Sequence, residues 1–148
     1  MKLVDEINLK IKVETFCHAT EDLNKVIAAL NNITGIETKN YRIDKLLGHW
    51  RNPIMYVYTE FEKYEALNVL KNIISKMEDN DKKEINSKIH LYLDEQGKLY
   101  LRFDKQEAYK GKIILSNKDD IIKVVIHAIS RKNKSVIEIY KSLGIINE

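Results

Sequence analysis

Two stretches of the 148-residue sequence set aromatic rings beside cations, the combination that holds unpaired nucleobases. In Gly48-His49-Trp50-Arg51-Asn52-Pro53 the only tryptophan stands next to a guanidinium, in a segment that Gly48 and Pro53 mark as a surface loop. A ring there can stack on a base while Arg51 meets a phosphate. Equally, Trp50 can plug the edge of a core with Arg51 in an ordinary ion pair. In Tyr100-Leu101-Arg102-Phe103-Asp104-Lys105-Gln106, the two-residue period of a strand puts Tyr100 and Arg102 on the face opposite Leu101 and Phe103. His90, Tyr92, Lys10 and Lys12 can join them on one open sheet face, which would suit unpaired bases or a second protein chain.

Covalent and acid–base chemistry has less to work with. The sequence holds no phosphate-cradling glycine loop, no paired-histidine metal motif and no serine elbow. Cys17 and His18 are adjacent, and adjacent strand residues point to opposite faces, so they are badly placed to form a thiolate–imidazole pair. A lone cysteine of this kind is ordinarily buried. The histidines fall at 18, 49, 90 and 127, with no spacing that suits metal ligation. Asp104 reads as a helix cap with no second carboxylate beside it. The residues therefore argue against an enzyme, and no metal or cofactor is expected; catalysis would require remote acids or histidines to meet in one pocket.

The formal net charge of +3 is too small to name a partner by itself. Its distribution says more. Residues 98–118 hold six Lys or Arg against two acids and residues 38–53 hold four against one, whereas residues 60–96 hold nine acids against six bases. The two basic segments are expected to come together as one patch. With 44% hydrophobic and 32% charged residues, the composition suits a single packed domain over 1–148. Early acids break any leader-like start, no apolar run nears the roughly 20 residues of a bilayer span, and one cysteine allows no intrachain disulfide. A soluble protein of the reducing cytoplasm is expected, with no membrane partner.

Hydrophobic periodicity places the elements that must position these groups. Ile7, Leu9, Ile11 and Val13 alternate with polar residues as a half-buried strand does. Thr20 can cap a helix carrying Leu23, Val26, Ile27, Leu30 and Ile33, which Gly35 would close. Residues 36–47 read as extended, 54–61 as a strand and 64–77 as a second amphipathic helix, with a short third helix within 78–88. Residues 88–94 and 98–103 are predicted to form a hairpin about a turn at 94–97. A capping box at Asp104 and Glu107 opens one helical turn closed by Gly111. Strands at 112–115 and 121–128, and a helix from about Asn133 to Leu143, complete the chain. The expected fold class is α+β: an antiparallel-dominated sheet with helices packed on one face and the other face open.

Three ordered motifs carry a resemblance: His18-Ala19-Thr20-Glu21-Asp22, then Gly48-His49 with Asn52-Pro53-Ile54, then Leu99-Tyr100-Leu101-Arg102-Phe103-Asp104-Lys105-Gln106 with Ala108 and Gly111. Together they resemble the archaeal predicted RNA-binding, exosome-associated family, over roughly residues 3–128 and without the last helix. The resemblance implies a fold similar to that of the ribosomal protein that binds 5S ribosomal RNA, a role in RNA binding or processing, and no catalytic residues to carry over. The RNA contacts expected are His49, Trp50, Arg51, Asn52, Tyr100, Arg102, Lys105 and Lys112, the cations meeting phosphates and the rings stacking on bases. Single-stranded RNA is the expected partner, with the exosome or other RNA-processing proteins beside it. The competing reading is a protein-interaction or dimerisation module without direct RNA contact, whose open face is covered by another chain, a second copy in a homodimer among the options.

Overall fold

Alternation in the longest strand sets the architecture. The computed structural model describes residues 6–37 and 40–147, except for the side chain of His49. Strand β1 (Ile7–His18) buries Ile7, Leu9, Ile11, Val13, Thr15 and Cys17 on one side and turns the residues between them to the other. It is followed by helix α1 (Leu23–Thr34), β2 (Arg42–Leu47), a 3-10 turn (His49–Arg51), β3 (Pro53–Glu62), α2 (Lys63–Lys76), α3 (Asp79–Ser87), α4 (Ile89–Tyr92), β4 (Lys98–Asp104), α5 (Lys105–Tyr109), β5 (Ile121–Ser130) and α6 (Val136–Ser142). The strands form one sheet in the order β2-β3-β1-β5-β4, and every adjacent pair is antiparallel. This is the mixed α+β, antiparallel arrangement that the periodicity predicts.

One face of the sheet builds the core. Val57 and Phe61 of β3, Leu99, Leu101 and Phe103 of β4, and Ile122, Val124 and Ile126 of β5 join the inward residues of β1. Helices α1 and α2 lay Leu30, Ile33, Leu70 and Ile73 into the same cluster, at the helical spacing that makes one apolar stripe. Tyr140 of α6 is wholly buried, and its hydroxyl lies within hydrogen-bonding distance of the Gly97 and Ile126 carbonyls at 2.6 and 3.1 Å, so the last helix is tied to both β4 and β5. Gly35 ends α1 in the left-handed region, and the Asn72 amide of α2 donates to the free carbonyls of Asn32 and Ile33 at 3.2 and 2.9 Å.

Four local expectations are corrected. The cap of α1 is Asp22, whose carboxylate accepts from the Asn24 amide, and not Thr20, because the chain first turns at residues 19–21 before the helix opens. Residues 88–94 do not form the first strand of a hairpin: Ile89–Tyr92 is one helical turn, and only Leu93 bridges to Leu99. His90 and Tyr92 are therefore off the sheet. Residues 112–115 make single bridges, Ile113 to Met77 and Leu115 to Phe103, in place of a strand. The last helix starts at Val136 behind a Ser135 cap, where a serine oxygen meets the Glu138 amide. The Asp104 cap and the turn at 94–97 are as expected, with Asp104 accepting from the Glu107 amide.

Candidate nucleic-acid interface

The register of the five strands assembles the second face. One row across it reads Arg42, Tyr58, Glu14, Lys123, Arg102; the next reads Asp44, Tyr56, Phe16; another reads Glu60, Lys12, Val125, Tyr100. Apolar, aromatic and charged side chains are thus interleaved on a surface where they are half-buried or exposed. Strands β2 and β4, which carry parts of the two basic segments, form opposite edges of the sheet. Arg42 and Arg102 stand at opposite margins of the face, four strand spacings or about 19 Å apart, and Lys12 and Lys123 supply the charge between them.

Three rings make a continuous platform. The centroids of Phe16 and Tyr56 are 5.4 Å apart and tilted, and those of Tyr56 and Tyr58 are 4.8 Å apart and stacked. Cations lie over them: the Lys12 ammonium is 5.6 Å from the Tyr56 centroid and 5.1 Å from that of Tyr58, and the Arg42 guanidinium is 6.0 Å from Tyr58. On the other side of the face the Lys123 ammonium sits 5.6 Å from the Tyr100 ring. Phe16 is 48% exposed, so its ring is open to a stacking partner.

Glu14 lies at the middle of these cations. Its Oε2 accepts from the Tyr56 hydroxyl and is 3.3 Å from Lys12 Nζ, while Oε1 is 3.5 Å from Lys123 Nζ. Burial alone would raise its pKa, but the Tyr56 hydroxyl and the two lysines outweigh it and hold the carboxyl below its ordinary value. The Tyr56 hydroxyl raises the Lys12 pKa in turn. Because the folded Glu14 has the lower pKa, the unfolded chain takes up the proton first as pH falls. The stability that Glu14 contributes is complete above its ordinary value of 4.5 and is lost as pH drops through the depressed one. Thermal unfolding from about pH 7 to about pH 3 should show the advantage of the native protein over Glu14→Gln shrinking toward the acid end. A gap that stays constant would contradict this.

The three motifs that carry the resemblance meet at one end of the sheet. Lys105 is only 3% exposed; its Nζ donates to the Phe16 carbonyl at 2.7 Å and to Glu21 Oε1 at 2.9 Å, and lies 2.8 Å from Asp120 Oδ1. Glu21 Oε1 also accepts from the His18 amide at 3.1 Å, and Gln106 donates to Asp120 Oδ2 at 2.9 Å. Asp120 Oδ1 is thus met by the lysine charge. Burial works against the Asp120 carboxylate, yet Lys105 and Gln106 hold its pKa below the ordinary value. His18, which ends β1, lies opposite Ile54 of the middle motif. A Cβ on Gly48 would come within 2.3 Å of Ile54 Cδ1, so a larger residue there would oblige the Ile54 side chain to move.

The sequence-predicted contacts divide accordingly. Arg102 and Tyr100 stand on the open face, with Arg102 donating to the Lys118 carbonyl at 3.1 Å and the Tyr100 hydroxyl to Asp94 at 3.0 Å. Trp50, 85% exposed, and Arg51 occupy the turn between β2 and β3, both in the left-handed region at φ 59° and 60°. Asn52 closes that turn through its carbonyl, which accepts from the Gly48 amide at 2.8 Å. The side chain of His49 lies outside the described residues. Lys112 is exposed beyond the outer edge of β4, beside the Ile113 bridge to Met77, and off the open face. Lys105 is committed to the interior. Sequence reasoning overlooked Phe16, Tyr56, Tyr58, Glu14, Arg42 and Lys123, although the alternation of Ile54, Tyr56 and Tyr58 with Met55, Val57 and Thr59 would have placed the two tyrosines on one face. Among the described residues no group of three or more His, Cys, Asp or Glu is placed to hold a metal ion, and no helix is long and apolar enough to cross a membrane.

Known proteins resemble this chain over most of its length. The chain is 30% identical over 135 residues to an RNA-binding protein of Pyrococcus abyssi, covering 86% of this chain and 88% of that one. It is 35% identical over 121 residues to an uncharacterized protein of Methanocaldococcus jannaschii, covering 78% and 80% of the two chains. The fold matches the crystal structure of a DUF54 protein from Archaeoglobus fulgidus with a TM-score of 0.78 and 31% identity, over 90% of this chain and 97% of that one. A family model described by RNA binding matches residues 10–128, and the chain belongs to that RNA-binding family.

Proposed function

We propose that the protein is a non-catalytic binder of single-stranded RNA that uses the open face of its sheet. Phe16, Tyr56 and Tyr58 stack on successive bases, while Lys12, Lys123, Arg42 and Arg102 meet phosphates along the strand. The observation that carries this reading is the continuous ladder of three rings flanked by cations on the face not used by the core. Trp50, Arg51, Asn52 and His49, at the end of β2, extend the track past the sheet. Lys105 contributes by holding the Phe16 backbone, and Lys112, exposed beside the Ile113 bridge to Met77, would meet a phosphate outside the ring platform. A place beside the exosome or other RNA-processing proteins and a fold kinship with the 5S-rRNA-binding ribosomal protein rest on the resemblance of the motifs, and a cytoplasmic location rests on the composition and the single cysteine.

Anisotropy of a labelled single-stranded oligoribonucleotide tests the proposal. Affinity should fall linearly with salt on a log–log plot, with a slope of about −0.7 per phosphate neutralised, and Arg102→Ala should flatten it by roughly that amount. No binding at low salt would overturn the proposal. A second reading has its own support: Phe16, Leu46 and Ile129 are exposed apolar side chains on this same face, which would suit a partner chain. Light scattering separates the two, since a concentration-dependent dimer that RNA does not dissociate would favour the protein partner.

A further inference from the structure

We infer that the open face contains a nucleobase subsite selective for guanine, formed by Glu14, Phe16, Lys123 and Arg102; this rests on the RNA-binding reading and names its preferred base. A groove of about 430 Å³ opens on the face, with Glu14, Phe16, Tyr56, Arg102, Asp119 and Lys123 around it. That is the size range of small-ligand sites. It sets two carboxylates beside two cations, so acceptors for a base stand next to the cations that meet the backbone. What it offers is donors and acceptors side by side, which is what the edge of a neutral base presents.

Glu14 is the informative residue. For backbone binding alone a carboxylate amid Lys12, Lys123 and Arg102 subtracts from affinity, and its side chain is only 14% exposed. Its Oε2 is engaged by Tyr56 and Lys12, but Oε1 has a lysine at 3.5 Å, beyond a strong charge-assisted hydrogen bond. A carboxylate accepts about four hydrogen bonds, so capacity remains on the side that faces Lys123. A base stacked on the exposed Phe16 ring turns its edge toward that carboxylate. Guanine presents two adjacent N–H donors, the ring imino and the 2-amino group, with a carbonyl acceptor beside them for Lys123 or Arg102. Uracil presents one imino group between two carbonyls, which a carboxylate repels. Adenine and cytosine offer a single amino group and rank between.

The test compares an oligouridine with the same oligomer carrying one central guanine, and with one carrying inosine, which lacks the 2-amino group. Guanine is expected to tighten binding about tenfold, the scale of one good bidentate contact, and inosine to lose most of that gain. Glu14→Gln should bring the guanine oligomer down to the oligouridine level, and Phe16→Ala, on an exposed ring, provides a second variant with the same expected loss of preference. Equal affinity for all three oligomers would overturn the subsite while leaving RNA binding intact. A guanine preference that survives both substitutions would also overturn it, and absence of binding to any oligomer would remove the RNA-binding reading and the subsite together.

Discussion

Replacing Lys105 with methionine is expected to cost about 2–3 kcal/mol of folding stability, read as a drop of roughly 5–10 °C in Tm. The loss comes from leaving Glu21, Asp120 and the Phe16 carbonyl without their shared cation at a site where Nζ is buried. Removing one partner of a fully buried pair costs about 3–5 kcal/mol. The cost here is smaller because the Glu21 and Asp120 side chains are 21% and 43% exposed, and water can meet their charge once the lysine is gone. The same experiment distinguishes two roles for this residue. A phosphate contact would leave Tm unchanged and flatten the salt dependence of RNA binding, whereas a positioning residue lowers Tm and leaves the slope alone.

The second large effect belongs to the rings. Phe16→Ala combined with Tyr58→Ala is expected to weaken single-stranded RNA binding by at least roughly 30-fold, since each stacked base is worth about 1–3 kcal/mol. The slope against salt should not change, because no charge is removed. Lys12→Ala with Lys123→Ala should do the reverse, flattening the slope by about 1.4 on the log–log plot. Phe16 is half exposed and Tyr58 half buried, so the double ring variant should stay folded, which circular dichroism can verify. Equal effects from the two pairs on affinity and slope alike would break the division of labour between stacking and charge.

How much of this was legible in the sequence depends on the range of the interaction. The alternation of β1 and of residues 121–128, the stripes of α1 and α2, and the Asp104 cap are local patterns, and the sequence displays them directly. The helical turn at Ile89–Tyr92 was not legible, because Ile89, Leu91 and Leu93 alternate as a strand would and a four-residue segment is too short for the helical period to show. Lys105 resembled a solvated cation for a different reason: one of its acidic partners, Glu21, is 84 positions away, and the packing of α5 against α1 brings them together. The open face was anticipated in kind, with Lys10, Lys12, Tyr100 and Arg102 on it, but its centre was not. The strand order places β1 and β3 side by side, and that pairing, which no local pattern encodes, sets Phe16 against Tyr56 and Glu14 against Tyr58.

Titrating the protein with a short single-stranded oligoribonucleotide while following backbone amide resonances locates the contact directly. The expected shifts cluster at residues 10–18 of β1, 54–60 of β3, 121–127 of β5 and 98–104 of β4, with the largest around Phe16, Tyr56 and Lys123. Shifts confined to α2 and α3, on the core side of the sheet, with β1 and β3 unmoved, would contradict the assignment of the open face as the RNA-binding surface.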